Sequence, residues 1–296
     1  MTKIRSTDGS RIDDRRGQGG GGGLGGLFPG GGSGGFPFPM KAGGGILGII
    51  VMLAALFLPK LLGAATGTST AADTAGGSAN NPSSCVTEIE QVVCGVTNDV
   101  QEYWAGALPQ YFNTPYQETD TVWFTGGTNT GCGQASSETG PFYCPADNLV
   151  YIDLEFLVQL ESQLIGSASD LAEQYILAHE YGHHVQNVLG LNQQVQDAQQ
   201  NDPDRANEYS VALELQADCF AGAWVGDRDV LENEAELQEA IAAAEAVGDD
   251  RIQQKTQGRV DPESWTHGSA EQRRTWFLKG YNGDPSQCDT FAEISG

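Results

Sequence analysis

Residues 178–184 read Ala-His-Glu-Tyr-Gly-His-His, and the core of that stretch, His179-Glu180-Tyr181-Gly182-His183, decides how the rest of the chain is read. On an α-helix, positions i and i+4 lie about 40° apart on one face. The imidazoles of His179 and His183 can then reach a single metal ion. Glu180, between them, sits beside an open coordination position and can take a proton from water. The chain has 4 histidines, and three of them fall within this stretch. His184 is one step further round the helix, off the shared face, and reads as an exposed or hydrogen-bonded residue rather than a ligand.

The flanks support a helix. Asp170, with Glu173 three residues on, makes a box-like start. Leu171, Tyr175, Ile176 and Ala178 continue the apolar pattern to Val185 and Val188, and Gly190 is a stop signal.

A catalytic zinc site takes three protein ligands and keeps one position open. Apart from His184, which is off the shared face, no histidine follows His183 until His267, so the third ligand is expected from a distant carboxylate. Leu213-Glu214-Leu215-Gln216-Ala217-Asp218 offers one, within a second helical stretch over about 205–225. Glu214 and Asp218 share a face. Glu214 is the expected ligand, and Asp218 the acceptor for a ligand imidazole, fixing its tautomer. Val211, Leu213, Leu215, Phe220 and Trp224 make this helix apolar over much of its circumference, which sets its two acids apart from ordinary surface carboxylates.

Other segments supply a framework. Thr121–Thr125 and Leu149–Leu154 are rich in β-branched and aromatic residues and predict strands. Asp229–Val247 predicts a solvated helix ended by Gly248. Ser269 can cap a helix running to about Lys279. Just before that helix lies His267, and within it Arg273; either can stabilise the oxyanion that forms when water attacks an amide. A buried, hydrogen-bonded loop histidine is the other reading of His267.

Composition divides the chain. Its 296 residues hold 15 basic and 39 acidic side chains, a net charge of −24. Such a chain is poorly suited to binding nucleic acid, which requires clustered Lys and Arg. Residues 1–60 carry 7 basic and 3 acidic residues, whereas 61–296 carry 8 and 36. Seventeen of the 40 glycines lie in residues 1–45. Residues 1–41 therefore read as a disordered Gly-rich tail, and residues 42–62 as a transmembrane helix. A cleaved signal peptide is the rival reading of the apolar stretch. Residues 63–84 read as a flexible stalk and 85–296 as the globular domain.

Lys3, Arg5, Arg11, Arg15, Arg16 and Lys41 precede the apolar stretch, and after Lys60 no Lys or Arg occurs until Arg205. The positive-inside rule then expects a single-pass cell-membrane protein with its N-terminus in the cytoplasm and its domain outside. All six cysteines follow the apolar stretch, which suits an oxidising compartment. Six cysteines allow 15 pairings, so sequence does not fix the connectivity; the pairing expected here is Cys85–Cys94, from proximity, with Cys132–Cys144 and Cys219–Cys288.

The chain resembles the putative neutral zinc metallopeptidase family, single-pass bacterial membrane proteins with a gluzincin-type site. The resemblance rests on Thr130–Gly133, Gly140–Asp147, Ala178–Gln186, Leu213–Gly222, Gly248–Arg251, Trp265–Arg273 and Asp284–Asp289. It implies an α+β, zincin-like domain, mostly helical with a small antiparallel sheet. It implies one zinc ion per chain held by His179, His183 and Glu214, with Glu180 as general base and a peptide or protein as substrate. Gluzincin-like folds hold peptide along the edge strand of the sheet, for which Leu149–Leu154 is the candidate; a plain core strand is the other reading of that segment. The alternative is a non-catalytic zinc-containing protein that binds a partner outside the cytoplasm.

Overall fold

In the computed structural model, residues 4–17, 85–164, 170–228, 230–231 and 233–294 are described. The apolar stretch 42–62 and the stalk 63–84 lie outside them. Among the described residues, no helix is long and apolar enough to cross a membrane.

The first long helix, α1 (Glu88–Phe112), starts at a reciprocal cap, with the Thr87 side chain and the Glu90 side chain each accepting the other's backbone N–H. Val92, Val96, Val100, Trp104 and Leu108 recur every four residues and are fully buried, giving one apolar stripe. Asn113 ends the helix at φ 52°.

Four strands form one sheet in the order β1 (Ile12–Asp14), β2 (Thr121–Phe124), β6 (Leu149–Asp153), β5 (Phe142–Cys144). β1 pairs parallel with β2, β2 parallel with β6, and β5 antiparallel with β6. A separate antiparallel hairpin joins β3 (Gly127–Thr130) and β4 (Gly133–Ser136).

Three expectations are corrected here. The main sheet is mixed rather than antiparallel. Leu149–Leu154 is not an edge: β6 is hydrogen-bonded on both sides, and the edges are β1 and β5. Part of the expected disordered tail, residues 4–17, is folded onto the domain. Its strand has no apolar pattern of its own and is held by pairing with β2 in the register Ile12↔Thr121, Asp13↔Val122, Asp14↔Trp123.

The remaining helices are α2 (Leu154–Leu164), α3 (Asp170–Val188), α4 (Leu191–Asn201), α5 (Ala206–Asp227), α6 (Glu234–Ala246), α7 (Asp249–Gln257) and α8 (Ala270–Tyr281). Gly190 stops α3 at φ 74°. Helix α6 begins later than the expected Asp229, with the Asn233 side chain capping the N–H groups of Ala235 and Glu236. Ser269 and Gln272 form a capping box on α8.

Helix α3 is central. On one side Tyr181 packs toward the sheet, its hydroxyl 2.9 Å from Thr121 Oγ1 on β2. On the other side α3 crosses α5 at Gly182, where a Cβ would lie 3.0 Å from Ala217 Cα. Helices α5 and α8 approach closely as well: a Cβ on Gly222 would come within 2.0 Å of the Phe277 carbonyl oxygen. These contacts bring the inner faces of α3, α5 and α8 together. Cys85–Cys94, Cys132–Cys144 and Cys219–Cys288 are all disulfide-bonded, as expected.

Candidate metal centre

The helical spacing of the motif stacks His179 and His183 on the face of α3 that meets α5. There Glu214 Oε2 lies 3.3 Å from His179 Nε2 and Glu214 Oε1 lies 3.4 Å from His183 Nε2. The three ligand atoms all fall within 4.8 Å of one another. Atoms bound to one tetrahedral zinc at about 2.0–2.1 Å stand about 3.3 Å apart, so the donor set fits such an ion.

The other ring nitrogen of each histidine is already engaged. His179 Nδ1 lies 2.9 Å from Asp218 Oδ1, and His183 Nδ1 lies 2.8 Å from Gln186 Oε1. The Gln186 amide is oriented in turn, its nitrogen donating to the Leu213 carbonyl at 2.7 Å and to Gln216 Oε1 at 3.1 Å. With Nδ1–H donating outward, both Nε2 lone pairs face the centre, the tautomer a metal requires.

Charge is balanced inside this buried site. Burial pulls the His179 imidazole down, but hydrogen bonds to Asp218 and Glu214 outweigh it and lift its pKa to about 10. Burial would raise the Glu214 carboxyl, yet the charge of His183 and hydrogen bonds from both imidazoles hold it well below the usual range, and His267 adds to the effect. The carboxylates thus draw positive charge to this spot, which a divalent cation can supply in place of a proton.

Glu180 is buried beside the triad, and that burial raises its pKa, while the charges of His179 and His183 oppose the shift. Its Oε2 accepts the backbone N–H of Tyr143 at 2.9 Å. Tyr143 lies on edge strand β5, so β5 is joined directly to Glu180. His184 is fully buried rather than exposed and takes the hydrogen-bonded alternative, with Nε2 2.6 Å from the Gln117 carbonyl and Nδ1 3.2 Å from Tyr143 Oη.

Arg273, the other oxyanion candidate, is engaged by a buried carboxylate. Its Nε donates to Asp218 Oδ2 at 2.7 Å and its Nη2 to Asp218 Oδ1 at 2.9 Å. Only 3% of the residue is exposed. The guanidinium fork matches a carboxylate geometrically, and Asp218 takes it, while the Tyr175 hydroxyl also donates to Asp218. Arg273 therefore braces the acceptor of His179.

His267 is a buried, hydrogen-bonded loop histidine, the second of its two readings, with Nδ1 3.0 Å from Asp249 Oδ1. Asp249 Oδ2 accepts the backbone N–H groups of Thr266, His267 and Gly268 at 2.7, 2.6 and 3.1 Å. The loop is thereby fixed, and the ring is oriented by an anion at Nδ1.

Tyr175, Gln186, Tyr143 and Asp249 were not singled out from the sequence. Two carried a usable signal: Tyr175 lies four residues before His179 and Gln186 three after His183, so both share the ligand face of α3.

The family described as "Putative neutral zinc metallopeptidase" matches residues 1–291. Uncharacterized protein YpfJ of Escherichia coli strain K12 is 42% identical over 287 residues, covering 95% of this chain and 96% of that protein. Uncharacterized protein Rv2575 of Mycobacterium tuberculosis strain H37Rv is 46% identical over 213 residues, covering 68% of this chain and 70% of that protein. No solved structure matches the chain significantly.

Proposed function

The chain belongs to the putative neutral zinc metallopeptidase family, and from that membership and the geometry of the triad we propose that it is a zinc-dependent peptidase acting on peptides or proteins. One observation carries the proposal: His179, His183 and Glu214 converge on one point with Glu180 beside them. A purely structural zinc site is normally closed by a fourth protein ligand; among the described residues, the donor group here has three.

His179, His183 and Glu214 would hold one zinc ion. Bound there, zinc supplies Lewis-acid polarisation and lowers the pKa of a coordinated water to about 7. Glu180 accepts a proton from the attacking water as a C–O bond forms at the scissile carbonyl carbon. It returns that proton to the amide nitrogen as the C–N bond breaks. His267, oriented by Asp249, stabilises the carbonyl oxygen as charge develops on it. Asp218, braced by Arg273 and Tyr175, holds His179 in its ligating tautomer. The outer edge of β5 offers a peptide backbone a strand to extend.

Three disulfides support a domain that works in an oxidising, extracytoplasmic compartment. The apolar stretch 42–62 supports contact with the cell membrane.

The test is metal content of the purified full chain, run beside a peptide-library cleavage assay with and without chelator. About one zinc per chain with chelator-sensitive cleavage supports the proposal. Absence of zinc from the folded protein, or zinc without cleavage of any peptide, overturns it.

A further inference from the structure

Residues 4–17 are bound to the catalytic body by contacts of several independent kinds. Strand β1 adds to β2 over three residues. Beyond the strand, the Thr121 N–H donates to the Arg11 carbonyl at 3.0 Å and the Arg15 N–H to the Trp123 carbonyl at 2.8 Å. Further along, the Ser6 N–H donates to the Gln91 carbonyl at 2.9 Å, and Asn98 Nδ2 to the Asp8 carbonyl at 3.0 Å. Ile12 is buried in the core, with Ile4 packed against it. Gly95 of α1 makes room for the segment: a Cβ there would lie 2.8 Å from Arg5 Cα and 2.9 Å from Arg5 N, which are backbone atoms.

Three of the four arginines of this segment are paired with the same body. Arg5 meets Glu88 at 2.9 Å, Arg11 meets Glu118 at 2.5 Å and Arg16 meets Glu90 at 2.7 Å. The Arg16 guanidinium also lies over the Trp123 ring, 4.6 Å from its centre. These are the arginines that, read from sequence, argued for a cytoplasmic N-terminus. In the fold they serve as pairing partners for acids of the catalytic body.

A bilayer crossed once between residues 17 and 85 would separate β1 from β2 and break every one of these contacts. Exchange of β1 between two copies inserted the same way would not restore them, since each copy's N-terminus would still lie opposite the other's β2. Residues 42–62 are long enough for one crossing and too short for two, and no other part of 18–84 is apolar over such a length.

We infer that residues 4–17 lie on the same side of the membrane as the metal centre, so that the N-terminus is not separated from the catalytic body. Whatever contact the apolar stretch makes with a bilayer then begins and ends on the catalytic side. This inference does not depend on the peptidase reading.

The experiment uses the full chain in bacterial spheroplasts. All six cysteines of the chain are in disulfides, so an introduced cysteine is the sole free thiol. Ser10→Cys reports on the N-terminal segment and Glu271→Cys on α8; both positions are exposed. Each variant is treated with a membrane-impermeant maleimide before and after lysis. The expected result is full labelling of both before lysis. Protection of both until lysis also supports the shared compartment and moves the whole protein to the cytoplasm. Labelling of one position with protection of the other overturns the inference. As a second measurement, Gly95→Ala is expected to speed tryptic cleavage after Arg5 and Arg11 severalfold; an unchanged rate contradicts the packing on which the inference rests.

Discussion

The backbone N–H of Tyr143 donates to Glu180 Oε2 at 2.9 Å, so the edge strand of the sheet and the proposed general base share one hydrogen bond. On the function proposed above, a peptide that extended β5 would compete for that N–H and leave the carboxylate to the attacking water. Glu180→Gln keeps a side chain of the same size and removes only the base. Turnover is expected to fall by about 10²–10⁴-fold, with metal content unchanged. Steady-state kinetics beside metal analysis check this, and a zinc-loaded Gln variant of ordinary activity would refute the role.

Asp218 is fully buried and joins His179, Arg273 and Tyr175. Asp218→Asn is expected to weaken metal binding by about 10–100-fold, measured by competition with a chromophoric chelator. Arg273→Ala leaves buried carboxylates without their cation, and the expected loss is about 3–5 kcal/mol of folding stability. Chemical denaturation measures it. Arg273→Lys is expected to recover only part, because a point charge cannot reproduce the two-pronged contact.

His267 and Asp249 form a pair at 3.0 Å. His267→Ala is expected to lower turnover about 10²–10³-fold while zinc content is retained. Unchanged turnover would remove His267 from the mechanism. Asp249→Asn is expected to cost activity too, and also stability, because Asp249 accepts three backbone N–H groups.

Glu90 gives a pH dependence with a definite sign. Burial alone would raise its carboxyl, but backbone N–H groups of Thr87 and Val86 and the Arg16 guanidinium outweigh that and lower it below 4.5. A carboxyl with a depressed folded-state pKa stabilises the fold above its unfolded pKa. That contribution is lost as pH falls through the folded value. Arg16 is a third exposed, 33%, so solvent screening keeps the effect to about 1 kcal/mol. Wild type is expected to exceed Glu90→Gln in stability by that amount at pH 7, with the gap closing below pH 4.5. Denaturant melts across that range test it; a gap independent of pH would contradict it.

The sequence carries the ligand set because all of it is local helix geometry. His179 and His183 are one turn apart, as are Glu214 and Asp218, and helical spacing alone puts each pair on one face. Arg273 was less legible. An arginine near a candidate site suggests anion recognition, but nothing in the spacing says that its anion is Asp218, 55 residues earlier. β6 could not be ranked as edge or centre from its pattern, although its nearly continuous apolar run is what a strand buried on both faces shows. β1 was invisible for a different reason. Ile12-Asp13-Asp14 has one apolar residue and two charges, and it is a strand only because β2 offers it an edge.

Because β1 is held by pairing and packing, the covalent link from residue 17 to residue 85 is not what keeps it in place. A proteolytic cut anywhere in those intervening 67 residues is expected to leave a two-chain noncovalent complex with the His179, His183 and Glu214 cluster intact. On a denaturing gel such a molecule would look like a shortened, processed form. In native chromatography it would elute as before, and the small fragment would be lost only on dilution below its dissociation constant.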